Sequence, residues 1–263
     1  DHFWVFGNAI SLNMQLVPSI VGNIKYAVIE YDYKFCKYRS PEKHKEETGE
    51  DCDCSDTQLG KLISAFYYGA EQIFWMSGKQ EETWIQKFPF LELKGRVLGS
   101  VFSRKDIQML EFLKGGSNEG PWLVQDSESW IKGTTDATQW CGENNIAYET
   151  FKDLSRFDLM NKMYKAKGFC FLPRGGDTCP RVVIEAKVLG CELHTNSNVQ
   201  MANEAWFELG TPDTMIKHLK SLPDRFWNDI KKKLDITSSI GAYTTTYNCI
   251  AQGYPFEECI QSL

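Results

Sequence analysis

A loop with two glycines, from Pro173 to Asp177 (PRGGD), carries residue types that suit the binding of a phosphate group. It follows an apolar run from Phe169 to Leu172, which lacks polar alternation and predicts a parallel strand covered on both faces. Thr178 is the predicted N-cap of a helix over residues 179–189, and Gly190 is its predicted C′ residue. Exposed amides and the positive end of a helix dipole favour anions at such a place. The stretch therefore predicts an anion site at the carboxyl edge of a parallel sheet.

Two carboxylates stand at this predicted helix with seven residues between them, Asp177 in the loop and Glu185 two turns into the helix. Both can reach one crevice, and carboxylates accept hydrogen bonds from vicinal hydroxyl groups. The pair therefore predicts a sugar beside the phosphate. The alternative is an ordinary strand-helix-strand crossover with a capped helix and no ligand.

This stretch resembles the donor-binding segment of GT-B glycosyltransferases of the family 4 type. In that family two glutamates flank seven residues; the first contacts the donor sugar, the second contacts the ribose hydroxyls, and the glycine loop faces the diphosphate. By position, the resemblance assigns the sugar contact to Asp177 and the ribose contact to Glu185. It assigns the loop to Gly175, Gly176 and Thr178. The aspartate at 177 departs from the family's glutamate by one methylene, which bears on the identity of the donor sugar.

The resemblance also implies cations that neutralise the donor diphosphate, because a clamp that strengthens as charge builds up on the leaving group lowers the barrier. Arg104 and Lys105 follow a predicted strand where these relatives keep basic residues; solvated surface charges are the alternative. Lys132, in the segment Trp130–Gly133 that opens another predicted helix, is a second source of positive charge. Arg181 is counted with the donor-binding residues.

Two further segments are candidates for the walls of the donor site. The segment Tyr148–Phe151 is predicted at the end of a strand, where this fold usually holds the base against backbone groups and a ring; Tyr148 and Glu149 are counted with the donor-binding residues, and either ring of the segment, Tyr148 or Phe151, equally fits a core position. Residues 196–200 follow the strand after the helix, and are either a wall of the donor site or a plain loop.

Residues 32–57, here called the lid, lose all apolar periodicity and are predicted to form a long, charged loop. Within it, four residues are separated by seven, seven and one intervening residues. They form what we call the lid cluster: Cys36, His44, Cys52 and Cys54. Three thiols and an imidazole match the closed ligand set of a structural zinc, and metal would stabilise a segment with little apolar content. Free thiols and a disulfide are the alternatives. The flanking residues Asp32, Tyr33, Lys34 and Arg39 are predicted to form a wall of the acceptor cleft.

The elements that must position these residues are strands alternating with helices, which predicts an α/β fold with two Rossmann-like domains. Residues 1–90 are predicted as a shortened, acceptor-side domain with three strands. Residues 91–240 are predicted as the nucleotide-sugar-binding domain, beginning with a strand at 96–102 after a linker at 88–95. Residues 241–263 are predicted, from the resemblance, as a C-terminal helix that returns to the first domain.

Composition restricts the class of protein further. The net charge of -6 and the pI near 5.4 argue against a nucleic-acid partner, which would require a basic surface. No apolar stretch reaches the ~18–20 residues of a transmembrane segment, and the beginning does not read as a signal peptide. Nine cysteines, several among apolar neighbours, predict reduced thiols and a cytoplasmic location. The chain opens at Asp1, as a fragment or a trimmed chain would.

Three histidines lie outside the lid cluster: His2, His194 and His218. Each lacks a serine or cysteine at a spacing that would indicate a nucleophile, so structural roles are favoured. His2, in the acceptor-side half, is also a candidate for the cleft.

Taken together, the resemblance implies a glycosyltransferase that moves a sugar from a UDP- or GDP-sugar to a hydroxyl of a glycan or glycoconjugate. Retention of configuration without a catalytic metal is expected, with the leaving phosphate helping to remove the acceptor proton. An inverting GT-B transferase, with an acidic or histidine base in the first half, is one alternative. A catalytically inactive GT-B-like module that binds nucleotide or glycan is the other.

Overall fold

The computed structural model describes residues 2–234, which form two parallel β-sheets of four strands each, connected and covered by helices. This confirms the predicted α/β class with two Rossmann-like domains. Because every pairing between strands is parallel, the carboxyl ends of all strands in a sheet lie at one edge.

The first sheet has the strand order β1-β2-β3-β4. Its elements, in chain order, are β1 (Phe3–Gly7), α1 (Val17–Asn23), β2 (Lys25–Glu30), α2 (Pro41–Thr48), α3 (Gln58–Gly69), β3 (Gln72–Trp75), α4 (Gly78–Lys87) and β4 (Gly95–Val97). Large aromatic side chains fill the space between this sheet and its helices. Tyr67 stacks on Trp84 with ring centroids 4.5 Å apart, and Trp75 lies 5.5 Å from the same ring.

The strand predicted to open the second domain belongs instead to the first sheet. This strand is the short β4, whose residue Val97 pairs with Trp75 of β3. The prediction at 96–102 was wrong in length and in sheet membership, because an apolar run reveals that a strand exists but not which neighbour it pairs with. The first sheet therefore has four strands rather than the three predicted.

The lid is not a featureless loop, because it contains the helix α2. Ser40 caps this helix through its hydroxyl, which accepts from the Lys43 amide at 3.2 Å, and Pro41 occupies the first turn. Its one buried residue is His44, so the sequence had no apolar periodicity from which to predict a helix. The serine-proline start and the glycine at 49 were the available indications.

The second sheet has the strand order β6-β5-β7-β8. Its elements are α5 (Arg104–Leu113), β5 (Trp122–Gln125), α6 (Thr134–Glu143), β6 (Tyr148–Phe151), α7 (Arg156–Lys165), β7 (Gly168–Phe171), α8 (Arg181–Val188), β8 (Glu192–Thr195), α9 (Ala205–Glu208) and α10 (Pro212–Leu234). As predicted from its apolar run, β7 is buried along its whole length between β5 and β8.

The connections of β5 and β7 run in opposite directions, since β5 leads to β6 on one side and β7 leads to β8 on the other. Neighbouring strands of this kind define a topological switch point, where open parallel sheets bind ligands at their carboxyl ends. The switch point lies between the segment after Gln125 and the segment after Phe171.

The helix α10 is continuous, although separate helices were predicted before and after residue 223. Pro223 lies inside it. The second half of α10 contacts the first sheet: Phe226 packs on Phe74 of β3 at 4.8 Å, and Arg225 donates to the carbonyl of Val97 at 3.0 Å. The predicted return helix at 241–263 lies outside the described residues. Within residues 2–234, no helix combines the length and the apolar character needed to cross a bilayer.

Candidate functional site

The loops at the carboxyl ends of the two sheets contact each other. The Thr178 hydroxyl, beyond β7, donates to the Tyr31 carbonyl, beyond β2, at 2.8 Å. The amide of Gly78, beyond β3, donates to the Glu204 carboxylate at 2.9 Å. The candidate site therefore lies between the domains.

The two glycines of the loop, Gly175 and Gly176, are buried at this domain boundary. A Cβ atom on Gly175 would lie 2.8 Å from the Ser40 hydroxyl and 3.0 Å from the Trp130 ring. A Cβ on Gly176 would lie 2.2 Å from the Gln200 amide nitrogen and 3.4 Å from the Tyr33 ring. Both glycines thus allow the lid and the loop at 196–200 to approach closely, and in this structure side chains cover the loop.

Thr178 does not cap the following helix, contrary to the prediction. The N-cap position of α8 is Pro180, and the Thr178 hydroxyl is used in the bond to Tyr31. The helix does end as predicted, with Gly190 just beyond it at φ +87°. The N-terminus of α8 consequently has no side-chain cap of its own.

Asp177 and Lys132 meet at the switch point. The Lys132 ammonium donates to the Asp177 carboxylate at 2.7 Å, and the two side chains are 28% and 13% exposed. Lys132 belongs to a 3-10 turn, Trp130–Lys132, that precedes α6 where a continuous helix was predicted. The backbone of Asp177 bonds to Asn198 and Gln200, so residues 196–200 hold this carboxylate in place.

Glu185 lies completely buried on α8. Arg156, the first residue of α7, donates to both of its carboxylate oxygens, one of them at 3.0 Å. The Nε atom of Arg181 lies 3.8 Å from the same carboxylate, and both arginines also bind Asp106 of α5. Burial raises the pKa of Glu185, and the guanidinium of Arg156 opposes that shift.

Sequence reasoning missed Arg156 and Asp106. Ser155 and Asp158 form a Ser-x-x-Asp pair in which the Ser155 hydroxyl accepts from the Asp158 amide at 3.1 Å. That pair, read as a helix start, would have placed Arg156 in a first helical turn. No pattern in the local sequence indicated that Arg156 would pair with Glu185, which lies 29 residues away.

Arg104 and Lys105 are exposed residues at the start of α5, whose N-terminus is closed by a capping box of Ser103 and Asp106. The residue of this turn that takes part in the Glu185 network is Asp106. Arg104 and Lys105 therefore lie next to Asp106 in the sequence but are not members of the Glu185 network.

Tyr148 and Glu149 lie at the amino end of β6, not at its carboxyl end as predicted. Tyr148 pairs with Trp122, the first residue of β5, and Glu149 forms an ion pair with Lys162 on α7. The strand begins two residues later than expected, which moves both side chains away from the ligand-binding edge. The ring at the carboxyl end is that of Phe151.

Two clefts open at the carboxyl edge of the second sheet. One, of about 410 Å³, lies beyond β5 and β6 and is lined by Asp126, Phe151 and Lys152 among others. The chain segment from Phe151 to Leu154 lines this cleft and leads directly into α7, whose first residue is Arg156 of the Glu185 network. The other, of about 540 Å³, lies between the lid and the switch point, with Trp130 and Pro173 on one side and Glu42 on the other.

A charged network forms the carboxyl edge of the first sheet. Lys34 donates to Glu30 at 2.8 Å and to Asp32 at 3.1 Å, and the Nε atom of Arg39 donates to Asp32 at 2.7 Å. Glu30 is completely buried, and burial raises its pKa to about 8 against the opposing charge of Lys34. Of the residues predicted as an acceptor wall, Asp32, Lys34 and Arg39 are thus brought together, with Glu30 behind them, whereas the Tyr33 hydroxyl donates to the Gln200 side chain at 2.8 Å.

The lid cluster is also brought together. Its four residues are buried, and their ligand atoms all lie within 4.8 Å of one another. The Nδ1 atom of His44 is 3.8 Å from the Cys36 sulfur and 3.3 Å from the Cys54 sulfur. All seven cysteines in residues 2–234 are free thiols.

The other histidines occupy ordinary positions. His2 is exposed next to β1. The rings of His194 and His218 stack on Trp140 and Trp206, at 3.6 and 4.4 Å. Burial lowers the pKa of His194, and burial together with the charge of Arg225 lowers the pKa of His218 to about 4. The stacked rings fit the structural roles expected for both.

The sequence matches no protein-family model and no curated protein. Among solved structures, the backbone is similar to WaaG, a glycosyltransferase involved in lipopolysaccharide biosynthesis, over 91% of this chain and 80% of that one, with 9% identity and a TM-score of 0.41. It is similar to the lipopolysaccharide outer core galactosyltransferase WaaB over 86% and 75% of the two chains, with 10% identity and a TM-score of 0.38. It is also similar to the catalytic domain of starch synthase IV from Arabidopsis thaliana, bound to ADP and acarbose, over 93% and 69%, with 11% identity and a TM-score of 0.35.

Proposed function

We propose that this chain is a glycosyltransferase that moves a sugar from a nucleotide-sugar donor, a UDP- or GDP-sugar, to a hydroxyl of a glycan or glycoconjugate. The proposal is carried by the ion pair of Lys132 and Asp177 beside the glycine loop, at the switch point of a parallel sheet. Such a point is where open α/β sheets bind nucleotides. A cation and a carboxylate held there suit a diphosphate and a hydroxylated sugar, respectively.

The donor is placed along the carboxyl edge of the second sheet. The cleft of about 410 Å³ beyond β5 and β6 would receive the base, and the segment of Arg156 leads from it to Glu185. A ribose hydroxyl would replace one guanidinium N–H group as the donor to Glu185. The N-terminus of α8, the glycine loop and Lys132 would then face the diphosphate, since each supplies hydrogen-bond donors or positive charge.

The reaction breaks the bond between the anomeric carbon and the diphosphate oxygen, and the electron pair leaves with the phosphate. The acceptor hydroxyl oxygen bonds to the anomeric carbon, and its proton passes to the departing phosphate. Lys132 lowers the barrier because the charge on that phosphate grows as the bond breaks. Positive side chains would do here what a bound cation does in other transferases.

The acceptor is placed on the side of the first sheet. Asp32 is paired with both Lys34 and Arg39, and Glu30 is buried and paired with Lys34. The oxygens of Asp32 already accept from Lys34 and Arg39, and Glu30 has no exposed surface, so neither carboxylate is open to an incoming hydroxyl, which favours the retaining course over an inverting one. Asp32 and Arg39 remain the proposed wall for the glycan.

A catalytically inactive binding module is the second candidate function. It is favoured by one observation: the side chains of Ser40 and Tyr33 cover the glycine loop, as expected of a closed contact. A module of this kind would bind nucleotide or glycan without breaking the donor.

Donor turnover separates the two candidates. The chain is incubated with a panel of UDP- and GDP-sugars, and release of the nucleoside diphosphate is measured with and without glycan acceptors. Slow release supports the enzyme, whereas binding by calorimetry without release from any donor supports the module. For an active donor, NMR of the first product formed is expected to show the anomeric configuration of the donor.

Lys132→Met tests the residue that carries the proposal. The turnover number should fall by about 10²–10³-fold, as for loss of one charge-stabilising donor. Lys162→Met is the matched control, because Lys162 is also paired with a carboxylate but at the opposite edge of the sheet. Equal activity of the two variants would contradict the role of Lys132.

A further inference from the structure

The lid holds a compact group of soft metal ligands away from the proposed donor site. The members of the lid cluster are 1–6% exposed, although they come from a segment with a strongly charged surface. In the chain they lie up to 18 residues apart, in three different local structures. Cys36 follows β2, His44 lies in α2, and Cys54 begins the 3-10 turn before α3. Convergence of four such atoms requires the whole lid to fold around them.

The distances match a tetrahedral centre. Zinc binds thiolate sulfur at about 2.3 Å and imidazole nitrogen at about 2.0–2.1 Å, so neighbouring ligand atoms lie roughly 3.5–3.8 Å apart. The two separations from His44 Nδ1, to the sulfurs of Cys54 and Cys36, are 3.3 and 3.8 Å. The largest separation within the cluster is below 4.8 Å. A small inward movement of the side chains would complete the geometry.

The second nitrogen of His44 supports the same conclusion. Its Nε2 atom lies 3.9 Å from a carboxylate oxygen of Asp53. Histidines that bind metal through one nitrogen commonly direct the other to a carboxylate, which orients the ring and raises its basicity. His44 therefore has its Nδ1 atom toward the sulfurs and its Nε2 atom toward an acidic neighbour.

We propose that the lid cluster binds one Zn²⁺ ion with a structural role. Three thiolates and one imidazole select zinc over magnesium or calcium, which prefer oxygen ligands. Four protein ligands fill a tetrahedral shell and leave no position for water or substrate, so the ion is structural rather than catalytic. None of the four ligands takes part in the proposed sugar transfer.

The ion stabilises the part of the lid that contacts the second domain. Ser40, which packs against Gly175, lies between the ligands Cys36 and His44 in the chain. The ammonium of Lys43, in α2, lies 4.8 Å from the centre of the Trp130 ring. Tyr33 and Phe35 at the start of the lid are buried in the core of the first domain, but residues 39–57 contain no large apolar side chain. In that part of the lid the metal supplies the stability that a hydrophobic core would otherwise give.

The first test is metal content. The chain is produced without a metal-affinity tag or chelator, and zinc and iron are measured by mass spectrometry. One zinc per chain is expected, and Cys52→Ser should retain less than half of it. Cys141→Ser is the matched control, since Cys141 is equally buried but lies in α6, and it should retain the full content. Iron in place of zinc, an empty wild-type chain, or equal loss in both variants would overturn the assignment.

The second test does not depend on the folding of any variant. Wild-type chain loaded with Co²⁺ in place of zinc should show the visible bands of a tetrahedral ion and an intense thiolate charge-transfer band. A spectrum of six-coordinate Co²⁺ without that band would refute the site. Removal of the metal by a chelator should also direct limited proteolysis to residues 32–57 first. A lid that stays protected without metal would refute the structural role.

Discussion

The guanidinium of Arg156 binds both carboxylate oxygens of Glu185, so the first residue of α7 is joined to the buried middle of α8. Glu185 has no exposed surface, whereas Arg156 is 42% exposed. The pair lies where the cleft beyond β5 and β6 meets the helix that follows the glycine loop. It therefore connects the stability of the second domain with the proposed ribose contact.

Glu185→Gln should weaken both properties. Removing the charge leaves Arg156 and Arg181 without their buried partner, and we expect a loss of about 1–3 kcal/mol in the free energy of unfolding. This is less than for a fully buried pair, because solvent screens Arg156. Nucleotide affinity should fall by about 1–3 kcal/mol. Urea unfolding and calorimetry measure the two effects.

Glu149→Gln is the control for this prediction. Glu149 also pairs with a residue of α7, Lys162, but at an exposed position. Its replacement should change the free energy of unfolding by less than about 0.5 kcal/mol. If Glu185→Gln matched this control in stability and left nucleotide affinity unchanged, the Arg156 pair and the ribose contact would both lose support.

Gly133→Ala should strongly destabilise the second domain. Gly133 has φ +61°, which disfavours alanine, and an added Cβ would lie 1.8 Å from the carbonyl oxygen of Leu172. The backbone of the turn that carries Lys132 would have to move, at a cost of about 2–4 kcal/mol. Gly142→Ala, in α6 with nothing within 4 Å of the new Cβ, should instead stabilise by about 0.5–1 kcal/mol. The prediction would be contradicted if the urea midpoints of both variants shifted in the same direction from that of the wild type.

The pH dependence of stability should show the buried Glu30. Its pKa in the folded chain is raised from 4.5 to about 8, so between these values the folded state binds more protons than the unfolded state. The resulting stabilisation is complete below pH 4.5 and is lost as the pH rises toward 8, by at most about 1.4 kcal/mol for each pKa unit.

Glu30→Gln should remove this loss, because the amide is neutral at every pH and its oxygen can still accept from Lys34. Unfolding by urea at pH 5.5 and pH 8.5 measures the difference between the wild type and the variant. The stability of the wild type should fall relative to Glu30→Gln as the pH rises. A difference that stays constant across this range would mean that Glu30 remains ionised beside Lys34.

Several elements followed from short stretches of sequence. The uninterrupted apolar run at 169–172 predicted β7, since strands covered on both faces typically carry such a run. Gly190 predicted the end of α8 for an equally local reason, its φ of +87°. The lid cluster was predicted from residue type and spacing, because metal ligands are few in kind. For β7 and for the end of α8 the determining pattern lies within a few residues of the chain, and for the lid cluster it lies within 18 residues.

Other features depended on partners that local sequence does not identify. The sheet to which β4 belongs, the start of β6 and the burial of Gly175 under Ser40 all follow from packing. A shift of two residues in β6 moved Tyr148 to the opposite edge of the sheet. Local pattern fixes the period of a strand but not its neighbours or its end.

What the sequence alone determined was therefore the class of fold, the alternation of strands with helices and the residue types available at the glycine loop and in the lid. The tertiary structure alone decided that Lys132 meets Asp177 across 45 residues and that Arg156 meets Glu185 across 29. Periodicity and turn residues act over a few positions, so they can be recognised in the sequence alone. Ion pairs form between charges that folding brings together, and a sequence with many acidic and basic residues leaves the choice of partner to the packed sheets.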